Sequence, residues 1–276
     1  MNATRLCFTL LIVSLLSACA VTEKTDSMDG SLGELRLSYS DGRPDTTGVD
    51  NVNAVLRSVG VRVGVLPLPH EARPLLRTSQ TRALEPSESE ELVSIFSLHR
   101  GELLEQIERA GRNPEAHRGG YLSTSEVDVP PYPKVYDMRR LTPEVMQFLQ
   151  GKFGKLHVNS AEDGMGIDEV MSLVSGGPWV WFFVLPDDVV AKLTLGHVAL
   201  EGPGWRISYP GLVPHGAFLG PEYGLIVAHA HGPESFVMRY EDPSVESAHL
   251  LGANAWIDFS GQAPRLLERV DRSSRK

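Results

Sequence analysis

Residues 179–185 read Trp-Val-Trp-Phe-Phe-Val-Leu, and this stretch decides the fold of the chain. Its side chains are apolar at every position, so both faces of an extended segment would have to be covered. Pro186-Asp187-Asp188 then turns the chain, and residues 189–200 return as a second, largely apolar strand. We therefore predict a hairpin over residues 179–200 at the centre of an antiparallel sheet.

The same pattern of short strands continues toward the carboxyl terminus. Gly202-Pro203-Gly204 predicts a tight turn. Further strands are predicted at residues 205–209, 225–231, 236–240 and 255–259. Short strands joined by turns, without helices between them, are typical of an antiparallel sandwich or barrel.

Toward the amino terminus, strand and helix patterns alternate. Alternating apolar residues predict a strand at 34–39, and helical spacing predicts a helix at 49–59. Residues 61–68 predict another strand, and residues 87–110 predict a longer amphipathic helix. These elements form a predicted α/β portion with amphipathic helices.

The segment between these two regions is rich in Gly, Ser and Pro, which is typical of a linker. A helix that starts near Pro143 and another over residues 168–174 are predicted to precede the central hairpin. The predicted fold class is α+β. Its parts are an α/β portion at 33–118, a linker at 119–136, a helix pair with an antiparallel β portion at 137–262, and a tail at 263–276.

The first twenty residues carry a targeting signal. Arg5 precedes an apolar run at residues 6–16, which is shorter than the roughly 20 residues that a bilayer-spanning helix needs. The run ends in Leu16-Ser17-Ala18-Cys19, and this quartet resembles the lipobox of bacterial lipoproteins. An ordinary signal peptide cut elsewhere, or a short transmembrane anchor, is the alternative interpretation.

The lipobox resemblance also implies the subcellular location of the protein. It implies a signal peptide at residues 1–18, a lipid on Cys19 and a flexible tether at residues 19–32. Ala20 follows the cysteine, and in enterobacterial-type sorting this favours the outer membrane, with the protein facing the periplasm. Since Cys7 would leave with the signal, Cys19 would be the only cysteine of the mature chain. We therefore expect neither a disulfide nor a catalytic thiol.

The net charge and the sequence motifs limit the classes of partner that the protein can have. The chain has 26 Lys and Arg against 35 Asp and Glu, a net charge of −9. Such a balance argues against nucleic acid and against an anionic lipid surface as main partners. Searches for a nucleophile elbow, a phosphate-binding loop or a His-Glu-x-x-His motif find no catalytic signature. The membrane, reached through the lipid on Cys19, an envelope protein and a small molecule remain as partners.

One segment, Gly224-Leu-Ile-Val-Ala-His229-Ala-His231-Gly-Pro-Glu234, predicts a chemical site. Histidines two apart on a strand point to the same face. Such a pair can ligate one metal ion when a carboxylate and a later histidine complete the set. The candidate metal ligands are His229, His231, Glu234, His249 and His197.

This segment, taken with His249 and Asn254, resembles the motif pair of the cupins. That pair reads Gly, spacer, His-x-His, spacer, Glu, then His, spacer, Asn, on antiparallel strands. The resemblance implies a jelly-roll barrel that holds a divalent metal such as Zn, Mn or Fe through His229, His231, Glu234 and His249. The family has five residues between the glycine and the first histidine, whereas this segment has four.

The facing of this strand leaves two functions open. The opposite face of residues 225–231 carries Ile226, Ala228 and Ala230, which are equally suited to a core. From the sequence we favour an envelope lipoprotein, without an identifiable catalytic set, that binds a small ligand or an envelope partner. The alternative is a cupin-like, divalent-metal-dependent enzyme that uses His229 and His231.

Overall fold

The central hairpin predicted at residues 179–200 is present in the computed structural model of the protein. The structure describes residues 33–112 and 131–269. The predicted signal peptide, Cys19 with its tether, most of the linker and the end of the tail therefore lie outside the described residues. Within the two described ranges, no helix combines the length and the apolar character needed to cross a membrane.

The secondary structure of the described ranges is mixed. The α-helices are α1 (Val49–Leu56), α2 (Arg73–Thr81), α3 (Pro86–Ile95), α4 (Arg100–Arg109) and α5 (Pro143–Phe153). The strands up to the hairpin are β1 (Leu35–Tyr39), β2 (Thr46–Thr47), β3 (Arg62–Leu66), β4 (Lys134–Asp137), β5 (Val158–Ser160), β6 (Asp168–Gly176), β7 (Trp179–Leu185) and β8 (Val189–Leu195). The later strands are β9 (Gly204–Tyr209), β10 (His215–Phe218), β11 (Gly224–His231), β12 (Val237–Arg239), β13 (Ile257–Asp258) and β14 (Arg265–Leu266).

Two five-stranded antiparallel sheets form the body of the protein. Their strand orders are β10-β7-β8-β1-β2 and β3-β9-β6-β11-β4. Alternate residues of β7, such as Trp181 and Phe183, share one apolar core with Trp205 and Ile207 of the other sheet. Sheets that pack face to face over such a core make a β-sandwich. The predicted α+β class is confirmed, and of the two predicted forms of its antiparallel part, sandwich or barrel, the described residues form the sandwich.

The amino-terminal strands belong to this same sandwich. β1 pairs with β8, with Leu37 opposite Leu193, and β3 pairs with β9. The predicted α/β portion therefore contributes strands to both sheets, and residues 33–112 and 131–269 belong to one compact unit.

The outer faces of both sheets are covered as well. Leu98 and Leu103, at the start of α4, pack on Val170 of β6. On the other side, Trp256 and Ile257 of the carboxyl-terminal segment pack on the outward face of β7. Strands buried on both faces lose the apolar–polar alternation, which explains the continuous apolar run of β7.

The long helix predicted at residues 87–110 is two helices. A capping box of Glu85 and Glu88 starts α3, and a second box of His99 and Glu102 starts α4. The side chains of a capping box satisfy backbone N–H groups that a new helix leaves without partners. His99 is therefore an exposed helix cap rather than a packed core residue.

The helix predicted over residues 168–174 is wrong, because these residues form β6. All nine residues of β6 are buried between β9 and β11. Asp168, Glu169 and Ser172 interrupt its apolar residues at intervals that suggest a helix. Instead, Asp168 pairs with Arg112, and the Ser172 hydroxyl accepts a 3.2 Å hydrogen bond from Arg206 Nε. The partners of Glu169 are described below. In the predicted tail, Leu266 of β14 pairs with Ile257 of β13.

Candidate functional site

A cavity of about 360 Å³ lies between the two sheets. This volume is within the range of sites that bind small organic molecules. Part of its lining is apolar and part is polar. The apolar and aromatic part is contributed by Phe153, Met171, Trp181, Ala217, Leu219, Ile226, Phe236 and Met238, and the polar part by His157, Asn159, Glu169 and His215 with three tyrosines, Tyr132, Tyr136 and Tyr209.

Two histidines lie side by side in this cavity. The backbones of His157 and His215 exchange two hydrogen bonds of 2.9 Å, and their ring centroids are 4.6 Å apart. His157 Nδ1 lies 2.7 Å from Lys155 O, and His215 Nδ1 lies 2.7 Å from Val213 O. Because a carbonyl only accepts, each Nδ1 must donate. Each Nε2 then carries the lone pair when the ring is neutral.

A buried carboxylate faces the two histidines. Glu169 is 2% exposed. Its Oε1 accepts a hydrogen bond of 2.6 Å from the Tyr132 hydroxyl, and its Oε2 accepts one of 2.7 Å from Asn159 Nδ2. His215 Nε2 lies 3.5 Å from Glu169 Oε2 and 3.0 Å from Asn159 Nδ2. Asn159 therefore connects the carboxylate to the imidazole.

Electrostatics keep the neighbouring rings neutral. Burial first, and then the negative charge of Glu169, raises the pKa of Tyr132 and of Tyr209 well above its ordinary value. Burial, followed by Glu169, raises the pKa of Tyr136 to about 12. Burial, followed by the nearby His215, lowers the pKa of His157 well below its ordinary value. At neutral pH the tyrosines are therefore hydrogen-bond donors, and His157 is an uncharged base.

Local backbone structure places these side chains. His157 and Asn159 are two residues apart along an extended segment, so both point to the cavity side. The Asn159 N–H donates a 2.8 Å hydrogen bond to Gly211 O. A Cβ on Gly211 would come within 2.3 Å of Asn159 O and 2.2 Å of Ile167 O. Only glycine fits where these segments of the backbone approach each other so closely.

The structure places His229 and His231 on the other side of the sheet. In the pairing of β11 with β6, Ala230 is opposite Glu169 and His229 is opposite Val170. Directly paired residues share a face. Glu169 and Ala230 therefore lie on the inner face, whereas His229 lies with Val170 on the face that the helices cover.

His229 is 1% exposed, and within residues 33–112 and 131–269 neither of its ring nitrogens has a hydrogen-bond partner. Burial first, and then the positive charge of Arg206, lowers its pKa to about 4. His229 is therefore an uncharged ring under the helical layer, and the sheet separates it from the cavity.

The remaining predicted ligands lie elsewhere. His197 is exposed, and its Nε2 lies 3.2 Å from the Tyr223 hydroxyl. His249 is exposed beside Asp188, and Glu234 is also exposed. The structure thus does not bring the five predicted ligands together. In the described ranges, no group of three or more His, Cys, Asp or Glu side chains is arranged so that it could hold a metal ion.

The sequence did contain a signal for the cavity residues. Gly151 is followed by five residues, His157, one residue and Asn159, which matches the cupin spacing with asparagine as the second member of the pair. The two histidines of residues 224–231 form a more conspicuous pattern than the single histidine of residues 151–159.

The comparisons with known proteins bear on the fold. The structure of acireductone dioxygenase from Bacillus anthracis, solved with a cadmium ion in its active centre, matches this chain with a TM-score of 0.50 at 19% sequence identity. The match covers 75% of this chain and 99% of that one. No protein-family model matches the sequence, and no curated protein does. Since that dioxygenase is a cupin, the likeness shows that the two facing sheets, with the cavity between them, are a cupin-type fold.

Proposed function

We propose that this protein is a cupin-type, divalent-metal-dependent enzyme whose active site is the cavity between the sheets. The observation that carries the proposal is that Glu169, His157 and His215 line one cavity together with apolar and aromatic side chains. As they stand in the described ranges these three side chains are not arranged to hold a metal ion, so metal binding requires them to turn toward one point. Two histidines and one carboxylate are the donor set of many metal centres that work on small substrates. The similar dioxygenase structure holds a metal ion in its active centre, and this supports the proposal of metal dependence.

The donor chemistry of the cluster suits a cation. Glu169 is buried, and in the described ranges its only ion-pair partner is the imidazole of His215. A buried carboxylate without a cation is costly. Asn159 Oδ1 is also buried and has no hydrogen-bond partner among the described residues. One bound cation would compensate both groups.

The residues that would hold the metal are His157 and His215 through Nε2 and Glu169 through a carboxylate oxygen, with Asn159 Oδ1 as a further oxygen donor. Both Nδ1–H groups are already tied to main-chain carbonyls, which is the usual orientation of ligating histidines. Asn159 Nδ2 now lies between Glu169 and His215, so its amide would have to turn for Oδ1 to reach the cation. A bound metal would polarise an oxygen atom of the substrate.

The chain's own groups hold the ligands in place and exclude water. Tyr132 donates to Glu169 and holds that carboxylate in place. His157 is uncharged inside the cavity, so the lone pair of its Nε2 is available to the metal. Trp181, Met171 and Ile226 exclude water from the substrate's apolar part.

Metal loading of matched variants tests this proposal. The purified protein is incubated with Mn²⁺, Fe²⁺ or Zn²⁺ separately, desalted, and analysed for bound metal by mass spectrometry. We expect about one equivalent in the wild type and a loss of affinity of roughly tenfold or more in Glu169→Gln and His215→Ala. His229→Ala and His231→Ala are the matched controls and should keep the metal.

The controls also decide between the two faces of the sheet. Metal that is lost in the His229 and His231 variants but retained in Glu169→Gln would assign the site to the helical side and reject our assignment. A folded wild-type protein that binds none of the three metals would reject metal dependence altogether.

The location of the protein is a second proposal. We propose that a lipid on Cys19 holds the chain at the cell envelope, with the cavity domain on the periplasmic side of the outer membrane. The support is the Leu16-Ser17-Ala18-Cys19 quartet after a short apolar run.

A further inference from the structure

Two lysines lie at the mouth of the cavity. Lys134 on β4 and Lys152 near the end of α5 are exposed, and both line the cavity. Lys134 Nζ lies 4.7 Å from the centre of the Tyr136 ring, and Lys152 Nζ lies 5.8 Å from the centre of the Phe153 ring. These two rings meet edge to face with centroids 6.3 Å apart. The ammonium groups thus flank one aromatic pair.

Among the described residues, no Asp or Glu side chain balances the positive charge of these lysines. Within residues 33–112 and 131–269, neither lysine forms an ion pair with an Asp or Glu side chain. Burial, followed by repulsion from Lys152, lowers the pKa of Lys134. The two lysines therefore place positive charge at the mouth of the cavity in a chain whose net charge is −9.

The cavity behind the lysines restricts the rest of the ligand. Its volume of about 360 Å³ admits only a small molecule. Phe153, Trp181 and Ile226 offer apolar and aromatic surface, whereas the polar groups of the lining are concentrated at Glu169 and the two histidines. A ligand that satisfies all three regions has an anionic end, a short apolar body and a polar reacting group.

We infer that Lys134 and Lys152 bind the anionic group of the substrate, a carboxylate or a phosphate, and orient its apolar body toward Glu169. The assignment of the reacting end rests on the proposed function, whereas anion binding at the mouth does not. Two ammonium groups on one side of a cavity, without an Asp or Glu partner among the described residues, attract an anion and repel a cation. They act as positioning residues for substrate binding.

A matched set of probes tests this inference on the full chain. The probes are 3-phenylpropanoate, its uncharged amide 3-phenylpropanamide, and phenyl phosphate, with dissociation constants measured by calorimetry. We expect the wild type to bind at least one anion about tenfold more tightly than the amide, as hydrogen bonds to charged groups imply. The preference should decrease with added salt. Comparison of the two anions distinguishes a carboxylate site from a phosphate site.

Variants then locate the anion site. Lys134→Gln and Lys152→Gln should each reduce the preference for the anion, and the double variant should bind acid and amide equally. Lys155→Gln is the control, since Lys155 lies next to Phe259 and does not line this cavity. An unchanged preference in the double variant, equal binding of acid and amide by the wild type, or no binding of either anion at millimolar concentration would overturn the inference.

The same variants separate this inference from the proposed function. The double lysine variant should keep its metal, and Glu169→Gln should keep its preference for the anion. If metal binding is disproved but the preference for the anion still depends on the lysines, the anion site remains supported. Metal binding at Glu169 without any lysine-dependent preference would reject the anion site alone.

Discussion

At the scale of the residue, Glu169 is a buried carboxylate whose donors can be removed one at a time. Tyr132 and Asn159 supply its two short hydrogen bonds. Tyr132→Phe removes one donor and leaves an oxygen in an environment that water reaches poorly. An unsatisfied buried acceptor costs about 1–3 kcal/mol. We therefore expect the free energy of unfolding, measured in urea at pH 7, to decrease by about that amount.

Tyr223→Phe is the matched control for this prediction. It removes a hydroxyl whose partner, His197, is exposed. Loss of an exposed hydrogen bond should change stability by less than about 0.5 kcal/mol. An equally small effect of Tyr132→Phe would mean that the Tyr132–Glu169 bond does not hold the carboxylate.

At the scale of the element, β11 carries a titration switch on its helical face. His229 lies between Arg206 of β9, which disfavours its protonation, and Glu102 of α4, which favours it, but burial dominates and its pKa is about 4 instead of 6.5. Between these two values the unfolded chain binds more protons than the folded chain, so stability should fall as the pH decreases from 6.5 to 4. The difference of 6.5 − 4 = 2.5 corresponds to about 3 kcal/mol.

Urea unfolding of His229→Gln at several pH values measures this effect. Glutamine does not titrate, so the part of the pH dependence that lies between pH 4 and 6.5 should become flatter. A slope that is the same in His229→Gln and in the wild type would show that the buried ring does not control acid stability.

The same element shows which facts the sequence could supply. Residues 225–231 are correctly predicted as a strand, because every position suits a pleated, buried surface. The choice of the inner face was not predictable from them, since all eight residues of β11 are buried. A strand that is buried on both faces shows no alternation of apolar and polar residues. A shift of one residue moves every side chain to the opposite face of the sheet. The histidine pair was therefore found, but its side of the sheet was not.

At the scale of the whole molecule, sequence patterns identify strands and helices better than they identify which residues pack against each other. The hairpin β7–β8 and the sandwich class follow from apolar runs and turns that are local in sequence. By contrast, the cavity joins Tyr132, His157, Glu169 and His215 from separate segments. Their polar character interrupts the local patterns, and in β6 it produced a false helix. Positions where local rules fail are where functional sites are expected.

The predicted membrane anchor also belongs to the scale of the whole molecule, because it determines the compartment in which the cavity lies. The lipobox resemblance predicts that wild-type cells incorporate labelled palmitate into this chain and retain it in the membrane fraction. Each buried methylene of an acyl chain contributes about 0.8 kcal/mol, so stable anchoring takes more than one chain. Cys19→Ser removes the thiol that the first lipid would occupy. We expect the label to be lost and residues 1–18 to remain on the chain.

Cys7→Ser provides the internal control, since Cys7 lies within the apolar run that would be cleaved off. This variant should keep both the label and the processing. Mass spectrometry of the mature amino terminus then separates the three interpretations of the first twenty residues. An acylated Cys19 supports the anchor, an unmodified terminus at another residue indicates an ordinary signal peptide, and an intact Met1 indicates a retained segment. Either of the last two results would remove the reason to place the cavity domain on a lipid tether at the envelope.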